Sequence, residues 1–386
     1  MPRRARTSRL LSLLAFAPTL ALPAPAPSFA AEPPAAVGSG RQDAEQALIK
    51  ETLADGVYLF RAPQALDRWT ATNVVVIVNQ DDVTVFDSFT LPATARLAIA
   101  EIRALTAKPV RTLINSHWHM DHWSGNDEFR QAFPGIQIIA TAETRGYMTR
   151  MGSAFLIDGT RASLGRAREA LATAVKTGHT SDGTPLTAQR RREQEQEIEQ
   201  TARFVDDVTA IPRVLPDVAF RDELTFWRGS REFRLFSMAG DATGSAVLYL
   251  PAERILVTGD VLVSPPDGQG PPPWTTNSYA IAPWLASLRR LEAFDAAVIV
   301  PGQGPAMRDR TYLRLTVQLF AGVVGGVQRA LERGVYRADD IVAAVDVDAI
   351  GRQYPKAEVG PGTPFAAVVG RLVRKAAQEA LDGIVK

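Results

Sequence analysis

The chain has 386 residues, 43 Lys and Arg against 42 Asp and Glu, and no cysteine. The missing cysteine excludes disulfides, thiolate metal sites and a cysteine nucleophile. The balanced charge gives no footing for nucleic acid or for an anionic membrane surface.

The first thirty residues have the layout of a secretory signal peptide. Arg3, Arg4, Arg6 and Arg9 form a basic start, Leu10 to Leu22 is apolar, and Ser28-Phe29-Ala30 is a small-residue cleavage site. Cleavage is expected after Ala30 or one residue later, leaving a periplasmic or secreted protein. The apolar run is too short and proline-interrupted to span a bilayer, so stable membrane insertion is not expected.

Residues 31–43 read as a flexible leader. Val57 to Arg61 reads as a strand, and Asn73 to Val78 with Asp82 to Asp87 as a hairpin turning at Asn79 to Asp81. Leu91 to Leu105 has helical periodicity. A strand at Val110 to Ile114, a helix at Gly125 to Phe133 and a strand at Ile136 to Ala140 follow. From about 145 to 210 there are helix formers and almost no strand signal, so this segment reads as a helical insertion. Its two candidate helices are Ala162 to Ala174 and Ala188 to Phe204, the second with a charge run that suits a solvated face with i,i+4 pairs. Strands return at Leu224 to Trp227, Glu232 to Met238, Ala246 to Leu250 and Ile255 to Thr258. A Pro/Gly-rich loop, Ser264 to Pro273, leads to a helix at Ile281 to Phe294 and a strand at Ala297 to Val300. From Arg308 the pattern is mostly helical, ending in Phe365 to Leu381. Two runs of hairpin, helix and strand suggest two halves packed face to face.

The chemistry concentrates between the strand at 110–114 and the helix at 125. Asn115-Ser116-His117-Trp118-His119-Met120-Asp121-His122 holds three of the four histidines of the chain. Neutral imidazole is the commonest protein ligand of transition metals, and a neighbouring carboxylate suits a divalent cation. If the segment is extended, His117, His119 and Asp121 face one side, and a turn returns His122 to them. One segment can then seed two adjacent metal sites at the carboxyl end of a strand.

This H-x-H-x-D-H motif resembles that of the metallo-β-lactamase fold superfamily. Phe86-Asp87-Ser88 resembles the family's early aspartate turn, Pro251 to Asp260 its segment with a bridging aspartate, and Val300 to Pro305 its late strand-end loop. The resemblance runs from about 50 to 305. It implies an α/β fold, an αββα sandwich, over residues 31–308 with a helical C-terminal extension over 309–386. It also implies a divalent-metal centre of one or two zinc ions, with manganese or iron as alternatives. His117, His119 and Asp241 would hold one ion; Asp121, His122 and Asp260 would hold the second, with Gln303 as a weak ligand. Asp121 would also be catalytic, orienting the attacking water. The implied activity is that of an exported hydrolase using a metal-activated hydroxide on a small-molecule ester, lactone, amide or lactam, phosphoester or sulfate ester.

Two departures from the family pattern bear on this. Asp241 stands where the family carries a histidine, and Gln303 replaces the histidine of the late loop. Two divalent ions would then face Asp121, Asp241, Asp260 and a hydroxide, a formally neutral centre with weaker Lewis acidity. The alternative is a non-catalytic metal- or ligand-binding protein on a degenerate fold. Gly178-His179-Thr180 spells the missing motif but lies in the insertion without a following strand pair; nineteen positions between Asp241 and Asp260 give the register the fold needs. Trp69, Trp118, Trp123, Trp274, Tyr279 and Trp284 are candidates for a pocket wall or for core. The helices of 145–210 and those after 308 are expected to cover the site or to build a homo-oligomer contact.

Overall fold

The computed structural model describes residues 47–63, 72–151, 154–181, 183–272, 280–360 and 363–385. The signal-like segment, Trp69, Trp274 and Tyr279 lie outside the described residues. The first sheet has seven strands in chain order: β1 (Ile49–Ala54), β2 (Val57–Arg61), β3 (Asn73–Val78), β4 (Val83–Phe86), β5 (Val110–Ile114), β6 (Gln137–Thr141) and β7 (Val218–Phe220). Pairing is antiparallel from β1 to β4 and parallel from β4 to β7. The second sheet has β8 (Glu223–Arg228), β9 (Arg231–Met238), β10 (Ser245–Leu250), β11 (Ile255–Val257) and β12 (Val298–Val300), in the order β12-β11-β10-β9-β8.

The period of two along each strand assigns its residues to layers. On β3, Val75 and Ile77 point into the core shared with β10, β11 and β12, while Val74 and Val76 point to the opposite side. That outer side is covered by α1 (Pro92–Leu105) and α3 (Asn126–Ala132), through Ala95, Ala98, Ile99, Ile102 and Phe129. In the second sheet Leu248, Ile255 and Val300 face the shared core, and Val247, Leu256 and Ile299 face outward. Their cover is α7 (Ile281–Glu292), α8 (Thr311–Glu332) and α11 (Pro364–Val385). The result is the four-layer αββα sandwich. The helices beyond 308 pack on the second sheet as its outer layer, with Leu313, Phe320, Phe365 and Leu372 in one apolar cluster with Trp284.

Two strands, β1 and β7, leave no clear signal in the sequence. Both are edge strands whose alternation is incomplete: β7 has three residues and buries only Phe220. The insertion is a pair of long helices, α5 (Ala154–Thr177) and α6 (Ala188–Thr209), preceded by α4 (Ala142–Arg150). Thr187 caps α6 by accepting the Arg190 N–H. The base of this pair packs on the sandwich: Ile157, Phe204, Val205 and Val208 lie against Trp118, Met120 and Trp123.

Candidate metal centre

Five carboxyl-terminal strand ends converge on one site. β4 delivers Asp87, β5 delivers His117 to His122, β9 delivers Asp241, β11 delivers Asp260, and β12 delivers Gln303. After β5 the chain bends through His117 to His119, and His119, with φ −67° and ψ 137°, leads into the one-turn helix α2 (Met120–Trp123). Asp121 and His122 therefore reach the centre from a helical turn, which corrects the extended reading of Asp121. The turn is secured from behind. Asn115 and Asn126 exchange side-chain amide bonds of 3.0 and 2.9 Å, and Asn115 also donates to the His122 carbonyl.

The imidazoles and carboxylates face one another. His117 Nε2 lies 2.9 Å from His119 Nδ1 and 4.0 Å from Asp260 Oδ2. His119 Nδ1 is 3.6 Å from Asp241 Oδ2. His122 Nε2 is 3.1 Å from Asp121 Oδ2 and 3.5 Å from Asp260 Oδ1. Gln303 directs its Nε2 toward Asp260 Oδ2 at 3.3 Å and Asp121 Oδ2 at 3.4 Å. The two aspartate loops are joined through the backbone, Asp241 N–H donating to the Asp260 carbonyl. The 302 position requires glycine, because a Cβ there would overlap Asp260 Oδ1.

Charge and burial prepare these groups for a cation. Burial pushes His117 well below the ordinary imidazole range, assisted by His122 and His119. Burial also brings His119 down to about 4, so both rings are neutral donors at pH 7. His122 is raised despite its burial, because Asp121, Asp260 and Asp87 surround it. Asp121 is held below the usual carboxylate range, against its burial, by His122, His119 and the Thr72 hydroxyl. Burial raises Asp260. The cluster thus seeks positive charge at the point where His122 meets three carboxylates.

The residues fit a metal by a direct test. His122 Nε2 and Asp260 Oδ1 are buried and make no well-directed hydrogen bond, only ion-pair contacts across the cluster, and buried polar atoms left so usually serve an ion or water. One donor atom each from His117, His122 and Asp260 lies within 4.8 Å of the others.

His179 is elsewhere. It is exposed, bridged to Pro185 in the turn between α5 and α6, with its ring Nδ1 at 3.2 Å from the Thr177 carbonyl. Trp118, Trp123 and Trp284 are core: Trp123 Nε1 donates to the Trp118 carbonyl and Trp284 Nε1 to the Val261 carbonyl. Two contributors carry no motif signal. Ser116 Oγ sits 3.0 Å from His117 Nδ1 and 3.1 Å from His122 Nδ1, and Thr72 Oγ1 donates to Asp121 Oδ2 at 2.8 Å. Thr72 lies 49 positions before Asp121, a pairing only the sheet creates.

Four layers with imidazoles and carboxylates gathered at the strand ends give an α/β sandwich with a candidate metal site at one edge. The chain belongs to the metallo-beta-lactamase superfamily, whose family model matches residues 67–303. A curated relative, the linear primary-alkylsulfatase of Pseudomonas sp. (strain ATCC 19151), is 26% identical over 255 residues. The match covers 65% of this chain and 45% of that protein, so the chain spans about half of its length. Among solved structures, a metallo-beta-lactamase from Pontibacter korlensis is 16% identical with a TM-score of 0.47, covering 71% of this chain and 99% of its own. The structure of TMB-1 is 17% identical with a TM-score of 0.49, covering 71% of this chain and 97% of its own.

Proposed function

We propose that this protein is a metal-dependent hydrolase of sulfate esters of primary alcohols. The observation that carries the substrate class is the match to the linear primary-alkylsulfatase, which spans 255 residues of the chain. The reaction adds water across the ester, giving the alcohol and hydrogen sulfate.

His117, His119 and Asp241 would hold one divalent ion, and Asp121, His122 and Asp260 a second. Zinc suits the imidazoles, while the oxygen-rich set also admits manganese or iron. The ions would supply Lewis acidity and make water a nucleophile at neutral pH. Asp121 would orient the attacking water. Gln303 steadies Asp121 and Asp260 through its amide, 3.4 and 3.3 Å away. Four carboxylates, Asp87, Asp121, Asp241 and Asp260, would repel an anionic sulfate, so binding requires the ions to offset them.

The signal-like first thirty residues support export to the periplasm or beyond. Among the described residues no helix is long and apolar enough to cross a membrane. N-terminal sequencing of the native protein should begin near Ala31; an intact Met1 would overturn export.

The test of function is sulfate release from octyl sulfate, followed by ion chromatography, after loading with zinc, manganese or iron and after chelation. Phenyl esters, a lactam, a lactone and a phosphodiester serve as competitors. Metal-dependent release from octyl sulfate is expected to be the fastest reaction. A faster competitor would change the substrate class, and a metal-loaded but inert protein would favour the binding role.

A further inference from the structure

Thr72 belongs to no motif and to no ligand set, yet it is fully buried beside the centre. Its Oγ1 donates to Asp121 Oδ2 at 2.8 Å. Asp121 needs such a partner, because its own element, α2, is four residues long and cannot fix a carboxylate by packing along a helix. Thr72 is itself held on two sides. Its backbone forms an antiparallel bridge with Gln303. The next residue, Asn73, donates its N–H to the Gly302 carbonyl at 2.8 Å, and its side-chain amide to the carbonyls of Pro301 at 2.7 Å and Gly304 at 2.8 Å. The start of β3 is thereby fastened to the loop that carries Gln303. A β-branched side chain on so fixed a backbone has little rotamer freedom.

We propose that Thr72 is a positioning residue for Asp121, its hydroxyl fixing the rotation of the carboxylate and hence the oxygen offered to an ion and to the attacking water. This rests on the reading of the site as a metal-dependent hydrolytic centre. Thr72 and Asn73 then act as one clamp, tying the Asp121 carboxylate and the Gln303 loop into a single geometry. Hydrogen-bond partners of metal ligands typically change ion affinity or activity by about 10–100-fold when removed, and this is the size of effect the clamp predicts.

The experiment compares wild type with Thr72→Val, which keeps the shape and removes the donor, and with Thr72→Ser, which restores it. Thr316→Val, a buried threonine bonded within α8, controls for the general cost of losing a buried hydroxyl. Calorimetric titration of the metal-free full chain with zinc gives the readout, with thermal melting alongside. The expected result is a weaker ion bound about 10–100-fold less tightly in Thr72→Val, with the tighter ion unchanged. Thr72→Ser should recover most of the loss, and Thr316→Val should bind zinc as wild type does. Equal affinities in Thr72→Val and wild type would overturn the proposal, as would Thr72→Ser behaving like Thr72→Val. If Thr72→Val does not fold, Thr72→Ala takes its place in the titration, with the same loss expected at the weaker ion; a folded Thr72→Ala that binds both ions as wild type does would overturn the proposal. Wild type that binds no zinc, manganese or iron would instead overturn the functional reading and this role with it.

Discussion

Asp87 Oδ2 and His122 Nδ1 lie 2.7 Å apart, and Asp87 Oδ1 accepts the Ser116 N–H at the same distance. Asp87 follows β4 with φ +64°, a left-handed conformation that Asp and Asn tolerate best among side-chain residues. One carboxylate thus joins the end of β4 to both the start and the return of the histidine segment. It sets the His122 ring so that Nδ1 faces Asp87 and Nε2 faces Asp121 and Asp260.

Asp87→Asn keeps the backbone preference and most of the shape but removes the charge that orients and enriches the ring. Metal affinity should fall by about 10–100-fold with the fold retained. Zinc titration beside circular dichroism checks this. Unchanged affinity would leave Asp87 as a turn residue only.

Asp241→Ala should lose one ion, because Asp241 faces His119 at 3.6 Å and supplies the only carboxylate of the proposed first set. His179→Ala should keep full metal content, since that ring is exposed in the α5–α6 turn. Elemental analysis of both purified variants separates the two. Ion loss on His179→Ala alone would reverse the assignment.

Gln303→His replaces a neutral amide with an imidazole at a position already facing Asp121 and Asp260. The weaker ion should bind more tightly by on the order of tenfold, about 1.4 kcal/mol. Calorimetry of the metal-free proteins measures it. No gain would show that the 301–304 loop does not bring this side chain to an ion.

Phe204→Ala opens a cavity at the base of the insertion, against the aromatic residues that flank the histidines. A cost of about 3–5 kcal/mol is expected, read by urea denaturation. Removing the distal part of the hairpin, from about 163 to 198, should leave that base and the zinc affinity intact. Loss of zinc binding on removal would mean that the distal helices also shape the site. A change in solution mass would identify them as a contact between copies.

The histidine segment was legible because its ligands are contiguous, so no folding step is needed to bring His117, His119 and His122 near one another. The two sheets were legible because buried strands such as β3 and β10 read as apolar runs between turn signals. Asp241 and Asp260 could be singled out because a strand, a turn and a strand fix the distance between them. The edge strands β1 and β7 escaped because their burial is too partial to leave an alternation.

The tertiary structure alone decided which residues support the ligands and which aromatics are core. Thr72 and Asp87 reach the centre across 49 and 35 positions, through pairings that no local pattern encodes. Trp118, Trp123 and Trp284 have the same composition signature whether they line a pocket or fill a core; packing against the insertion base and α8 placed them in the core. Amphipathic helices announce an apolar face but not its partner, so only the folded chain shows α8 and α11 covering the second sheet. A short-range pattern determines what a residue can do, and long-range contacts determine what it faces.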